Sequence, residues 1–149
     1  MRLKGITSSS IVTICSHNQF NAYVTFVGAV FLGAKVASLD PTISHNDSKH
    51  LMRQVNPDII FCTCSCLEKF KEIVSDLSLS CEIVVFEGRD EEVSFEEFLK
   101  ESDEEDVFAP ATVDVYETVV IIFSSGTTGL PKGICLNPVG LLEQVDTIT

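Results

Sequence analysis

Basic residues are scarce in this sequence. Among its 149 residues, 10 Lys and Arg stand against 22 Asp and Glu, which gives a formal net charge of −12 at pH 7. A protein that binds nucleic acid needs a basic surface, and so does one that docks on an anionic membrane. The charge balance therefore argues against both kinds of partner.

Long apolar runs are also missing. The longest extends from Ala22 to Ala34, interrupted by Thr25 and closed by Lys35, which is too short to cross a bilayer and predicts a well-buried core helix. The N-terminal stretch "MRLKGITSSS" lacks the apolar segment and cleavage site of a secretory signal. We therefore expect an intracellular protein without a transmembrane segment, in which the cysteines are reduced.

Two segments have a metal-ligand composition without metal-site spacing. "CTCSC", residues 62–66, would place three sulfurs on one face of a strand, but no second Cys or His cluster completes a zinc set. Ten acids crowd into residues 90–106 without the glycine punctuation of a calcium loop. We favour buried thiols over a metal centre in the first segment, and a solvated surface over a cation site in the second.

The pattern of apolar residues predicts an α/β domain over residues 1–149. Short β-branched runs alternate with helical patterns, which is typical of a mostly parallel sheet flanked by helices. Ser65 with Glu68, and Ser94 with Glu97, have the spacing of capping boxes at helix starts. The predicted strands cover residues 11–16, 35–40, 58–62, 81–87, 118–125 and 133–137, and the predicted helices cover 18–33, 44–55, 65–77, 94–102 and the residues from 141 onward.

The last two strands have no helix between them, which predicts an antiparallel hairpin with a loop at its tip. That loop reads "SSGTTGLPKG", residues 124–133. Its glycines permit positive φ and close approach to a ligand, and its backbone amides can form a nest for an anion. Its hydroxyls and a single ammonium add donors for phosphate, while Pro131 stiffens the approach to Lys132. A phosphate cradle is the favoured interpretation, and a flexible hairpin loop is the alternative.

Neither common phosphate-binding motif accounts for this loop. The P-loop needs Gly before its Lys and a hydroxyl after it, whereas Pro131 precedes Lys132 and Gly133 follows. The dinucleotide pattern G-x-G-x-x-G also fails, because Thr127 is followed by Thr128 and no helix begins at the loop.

"SSGTTGLPKG" resembles the phosphate-loop signature of the adenylate-forming superfamily, the AMP-dependent synthetases and ligases. That superfamily includes acyl-CoA synthetases, coumarate–CoA ligases and insect luciferases with their relatives. The segments "SSSIVTICSHNQFNAYVTFVGAVFLGAKVASLDPTIS" and "LMRQVNPDIIFC" resemble the family upstream of its loop. The resemblance covers nearly the whole chain and is nearest to the luciferase-like branch. It implies a partial AMP-binding domain, a slice of the large N-terminal domain, with the C-terminal lid domain absent.

The resemblance also implies a reaction. Family members use ATP to convert a carboxylic acid into an acyl-adenylate and then transfer the acyl group to coenzyme A, with Mg²⁺ assisting. The loop holds the β- and γ-phosphates in that scheme, and peroxisome or cytoplasm is the implied location. The implied phosphate-binding residues are Ser124, Ser125, Gly126, Thr127, Thr128, Gly129 and Lys132.

Several family features are not found in this sequence. The aromatic-Gly-x-Thr-Glu motif, the Thr-Gly-Asp motif and the lysine of the C-terminal domain are absent, so we expect this chain to be inactive by itself. A non-catalytic phosphate-binding module and a non-functional remnant are the alternatives. Leu136-Asn137-Pro138 stands where many members have Leu-[Ser or Thr]-His, which replaces a histidine often placed near substrate. Proline is nevertheless well suited to a helix start.

Overall fold

A computed structural model of the chain describes residues 1–87, 93–103, 105–124 and 129–148. Six strands form one sheet within these residues, in the order β4-β3-β1-β2-β5-β6. The first five strands run parallel, and β6 pairs antiparallel with β5. Both the predicted α/β fold and the predicted terminal hairpin are confirmed. The strands are β1 Ile11–Cys15, β2 Lys35–Leu39, β3 Ile59–Cys62, β4 Glu82–Val85, β5 Val120–Ser124 and β6 Lys132–Leu136.

Helices cover both faces of the sheet. One buried cluster joins strand residues such as Cys15 to side chains of α2 and α3, and the other joins Val12 and Ile14 to α1 and α4. This division follows from the alternation of side chains along a strand. The chain therefore leaves β1 toward one face of the sheet and leaves β2 toward the other. The helices are α1 Phe20–Phe31, α2 His45–Val55, α3 Leu67–Leu77, α4 Phe95–Phe98 and α5 Pro138–Ile148.

Only one of the two predicted capping boxes caps a helix. The Ser94 hydroxyl accepts a hydrogen bond from the Glu97 amide at 3.2 Å, so this residue caps α4 as expected. The predicted capping box at Ser65 is wrong, because a 3₁₀ turn at Cys64–Cys66 precedes α3 and the helix begins at Leu67. The Ser65 hydroxyl instead lies 3.1 Å from the Thr63 hydroxyl.

The prediction that the first helix is well buried is also wrong. Thr25 and Ala29 are its buried residues, whereas four large side chains one or two turns apart lie in solvent. The inner side of α1 packs on the sheet, and no other element of the described residues covers its outer side. We call the exposed set the α1 stripe: Phe20, Tyr23, Val27 and Phe31, with exposures of 79%, 59%, 48% and 51%.

The helix ends where the sequence indicates. Gly33 follows its last turn with φ +75°, a conformation that residues with a side chain rarely adopt. A Cβ at this position would come within 2.7 Å of Val113 Cγ1. None of the helices among the described residues is both long enough and apolar enough to cross a membrane.

Only the first cysteine of the "CTCSC" segment lies in a strand, in agreement with the predicted strand over residues 58–62. β3 ends at Cys62, and the 3₁₀ turn that follows leaves Cys64 exposed while Cys66 is buried. The three sulfurs therefore do not share one strand face. In the described ranges, no group of three or more His, Cys, Asp or Glu side chains is arranged to hold a metal ion.

Candidate functional site

The hairpin of β5 and β6 brings together two ends of the predicted phosphate cradle. Ser124 and Lys132 are register partners at the end of the hairpin where the loop connects the two strands, and both are exposed. Residues 125–131 connect them along the chain. Of the seven predicted site residues, Ser124, Gly129 and Lys132 can be described. The other four, Ser125, Gly126, Thr127 and Thr128, lie outside the described residues.

Two glycines meet different local demands. Gly129 has φ +131°, and no heavy atom lies within 4 Å of where its Cβ would be. Glycine is therefore favoured here by the backbone conformation and not by a lack of space. Gly133 pairs with Phe123 in the hairpin, and a Cβ there would lie 3.3 Å from Ile121 Cγ2. Gly129 thus shapes the loop, while Gly133 lets the hairpin pack.

The loop emerges at the carboxyl edge of the parallel sheet. β5 pairs with β2 through Val36–Val120 and Ala37–Ile121, so the loop lies on the same edge as the connections that follow β1 and β2. Those two connections diverge to opposite faces of the sheet. In open α/β sheets, a crevice forms at such a divergence and is the usual place for a ligand.

A cavity of about 330 Å³ occupies this edge beside α1. Its volume is in the range of small-molecule pockets, and it combines an apolar floor with a polar rim. The rim residues Ser16, His17 and Asn18 are not among the predicted site residues, although the polar run "SHN" directly after a buried strand could have indicated them. The lining residues are Ile14, Ser16, His17, Asn18, Ala22, Tyr23, Phe26, Ser38 and Leu39.

The connection after β2 carries an ionised carboxylate to the same edge. Asp40 Oδ1 accepts hydrogen bonds from the Thr42 hydroxyl at 2.6 Å and the Thr42 amide at 2.8 Å. These bonds lower the pKa of Asp40, and the nearby charges of His17 and Lys69 add to the effect. Because its charge repels phosphate, Asp40 suits a hydroxyl or a cationic group of a ligand.

Lys69 fixes this connection in place. Its ammonium donates hydrogen bonds to the carbonyl oxygens of Pro41 at 3.2 Å and Ile43 at 3.1 Å. α3 is thereby joined to the turn between β2 and α2. At the carboxyl edge, the connection after β2 is therefore held by hydrogen bonds from α3.

Pro138, at the position where the resemblance implies a histidine, serves as a helix start. Asn137 Oδ1 accepts a hydrogen bond from the Gly140 amide at 2.8 Å, and Pro138 is the first residue of α5. The helix therefore begins three residues before the predicted Leu141. Position 138 offers no group that can exchange a proton.

Comparisons with known proteins agree with this fold. A family model described as "AMP-binding enzyme" matches residues 1–149. Luciferin 4-monooxygenase of Photinus pyralis is 25% identical over 144 residues, which are 91% of this chain and 26% of that protein. 4-coumarate--CoA ligase 3 of Oryza sativa subsp. japonica is 27% identical over 146 residues, which are 97% of this chain and 26% of that protein.

A solved structure extends the similarity to three dimensions. The luciferase-like enzyme from the nonluminescent Zophobas morio mealworm superposes with a TM-score of 0.90 and 39% identity, over 99% of this chain and 35% of that one. The predicted resemblance to adenylate-forming enzymes is confirmed. The chain spans about a quarter of the length of the curated relatives it matches.

Proposed function

The chain belongs to the AMP-binding enzyme family, and on that basis we propose that the whole protein uses ATP to activate a carboxylic acid. An acyl-adenylate forms, and the acyl group then passes to coenzyme A. Residues 1–149 contribute the binding site for the ATP phosphates, as one part of a larger AMP-binding domain. The observation that carries the proposal is the pairing of Ser124 with Lys132 at the end of the hairpin next to the loop.

The described residues of the loop have complementary roles in this proposal. The substrate carboxylate attacks the α-phosphate, and charge builds on the β- and γ-phosphates as they leave as pyrophosphate. The Lys132 ammonium neutralises part of that charge, and the Ser124 hydroxyl donates a hydrogen bond to a phosphate oxygen. Gly129 lets the backbone turn its amides toward the same oxygens.

The remaining loop residues and Mg²⁺ complete the phosphate site. Ser125, Gly126, Thr127 and Thr128 supply further hydroxyl and amide donors. Mg²⁺ bound together with ATP would lower the charge on the phosphates. We place the protein inside the cell, in the cytoplasm or the peroxisome.

Substitution of Lys132 tests the proposed phosphate binding by the loop. Lys132→Ala should weaken ATP and pyrophosphate binding by about 10- to 100-fold, because a hydrogen bond to a charged group contributes about 1.5–3 kcal/mol. Titration calorimetry with each ligand, in the presence of Mg²⁺, measures the change. Lys100→Ala is the matched control. Lys100 lies outside the hairpin, is 74% exposed and forms a surface ion pair with Glu97 that contributes little to stability.

The two outcomes separate clearly. Retained affinity in Lys100→Ala with reduced affinity in Lys132→Ala supports the proposal, whereas equal affinity in both variants contradicts it. A pyrophosphate-exchange assay on the unaltered chain examines catalysis separately. We expect binding without exchange, and exchange by this chain alone would contradict its assignment as an incomplete site.

A further inference from the structure

Four cysteines gather at the carboxyl edge of the sheet. Cys15 ends β1, Cys62 is its register partner at the end of β3, and Cys64 and Cys66 follow in the 3₁₀ turn. Cys15 and Cys66 are 51 positions apart in the chain, yet their sulfur atoms lie 3.9 Å apart. We propose that Cys15 and Cys66 form a disulfide when the protein meets oxidised glutathione, and that this bond locks the connections around the crevice.

The pair is placed to act on those connections. Both side chains are buried, with exposures of 0% for Cys15 and 3% for Cys66. The Cys66 sulfur also lies 3.9 Å from the carbonyl oxygen of Pro41, in the connection after β2. A disulfide has a sulfur–sulfur distance of about 2 Å, so closure requires an approach of roughly 2 Å. The bond would join the end of β1 to the 3₁₀ turn that precedes α3, beside the Pro41 carbonyl.

Cys64 provides a route for the oxidant. It is exposed and lies two positions before Cys66, and its amide donates a hydrogen bond to Glu87 Oε2 at 3.1 Å. Burial raises the pKa of the Cys15 thiol, and the neighbouring Cys66 raises it further, so Cys15 is a poor first nucleophile toward an external oxidant. The thiol nearest to solvent in the cluster therefore starts the reaction.

The exchange proceeds in three balanced steps. The Cys64 sulfur attacks oxidised glutathione, forms a mixed disulfide and releases one reduced glutathione. Cys66 then displaces the second glutathione, which leaves a Cys64–Cys66 bond. In the third step Cys15 is deprotonated, its thiolate attacks the Cys66 sulfur, and the departing Cys64 thiolate takes up the proton. Two thiols are oxidised in total, and one glutathione disulfide is reduced to two glutathione molecules.

Non-reducing peptide mapping of the whole chain tests the proposal. The protein is incubated with oxidised glutathione, its remaining thiols are alkylated under denaturing conditions, and the linked peptides are identified by mass spectrometry. We expect a Cys15–Cys66 link and a rise of about 6 to 12 °C in the unfolding midpoint, because the bond constrains the unfolded chain. Dithiothreitol should reverse both changes.

Two variants identify the route. Cys64→Ser should slow the appearance of the link at least 10-fold, whereas Cys135→Ser, which removes an exposed thiol on β6, should leave its rate unchanged. Alkylation of both Cys15 and Cys66 after prolonged oxidation would overturn the proposal, as would glutathione retained only on Cys64. The mapping uses the unaltered protein, so it remains decisive if a variant fails to fold.

Discussion

Gly129 is a single residue on which the shape of the candidate phosphate loop depends. Its φ of +131° lies in a region that is open to glycine and strained for other residues, while the space around its Cβ position is empty. Gly129→Ala should therefore cost about 1–3 kcal/mol through backbone strain and not through a clash. We expect weaker ATP binding, measured by calorimetry beside a urea unfolding curve.

Gly5 provides a matched control for this substitution. It has φ +78° with nothing within 4 Å of its Cβ position, and it ends a 3₁₀ helix near the N-terminus. Gly5→Ala should lower the free energy of unfolding and leave ATP affinity intact. The loop assignment would be wrong if Gly129→Ala bound ATP as tightly as the unaltered chain.

Asp40 shows how one hydroxyl tunes a charge at the edge of the sheet. Thr42→Val removes the hydrogen bond from the Thr42 hydroxyl, which is the largest contribution to the lowered pKa of Asp40, so that pKa should rise toward its ordinary value of 3.8. An NMR titration of the Asp40 carboxyl measures the shift. The same titration of Asp76, whose pKa is lowered by Lys49 and not by Thr42, is an internal reference that should not move.

The sign of the pH dependence follows from the direction of this shift. A carboxyl whose pKa is lower in the folded state stabilises the fold above its unfolded value, and the stability is lost as pH falls through the folded pKa. The difference in unfolding free energy between the unaltered chain and Thr42→Val should therefore be present at neutral pH and shrink below pH 3.8. A difference that grew in acid would contradict this account of Asp40.

At the scale of elements, α1 carries apolar side chains on both sides, but only one side packs against the sheet. The described residues leave Phe20, Tyr23 and Val27 of the α1 stripe in solvent. Changing these three to Gln should alter the unfolding free energy by less than about 1 kcal/mol, since exposed positions contribute little to packing. Binding of a hydrophobic dye and aggregation should both fall, because an exposed apolar patch is removed.

Ala29 is the contrasting position on the same helix. It is fully buried against the sheet, so Ala29→Gln should destabilise the protein strongly by placing a polar group in the core. Unfolding curves and dye fluorescence of the two variants distinguish the sides of the helix. A large loss of stability on changing the stripe would show that its outer side is packed in solution.

The hairpin contrasts with α1 because it could be predicted from local sequence. Two apolar runs on either side of a glycine-rich loop left too little chain for a crossover helix, so antiparallel pairing was the remaining solution. The capping-box pattern at Ser65 predicts a helix start inside what is a 3₁₀ turn at Cys64–Cys66, since the pattern of one segment does not show the backbone conformation that its neighbours impose. Boundaries of this kind depend on contacts from elsewhere in the chain.

For the whole molecule, short-range patterns were sufficient to predict the alternation of strands and helices, the parallel sheet and the terminal hairpin, and they made the loop at its tip a candidate phosphate site. These features follow from side-chain periodicity, backbone freedom at glycine and the chemistry of hydroxyl and ammonium groups, all of which are present in any short stretch. They also carried the resemblance to adenylate-forming enzymes, which the match over residues 1–149 confirms.

Other features required the folded chain. The strand order places the β5 loop beside β2 and the crevice after β1, sets Cys15 against Cys66, and leaves one side of α1 in solvent. Each depends on pairing between residues that are far apart in sequence. A periodic pattern shows which side chains share a face, but only the packed sheet determines what lies opposite that face.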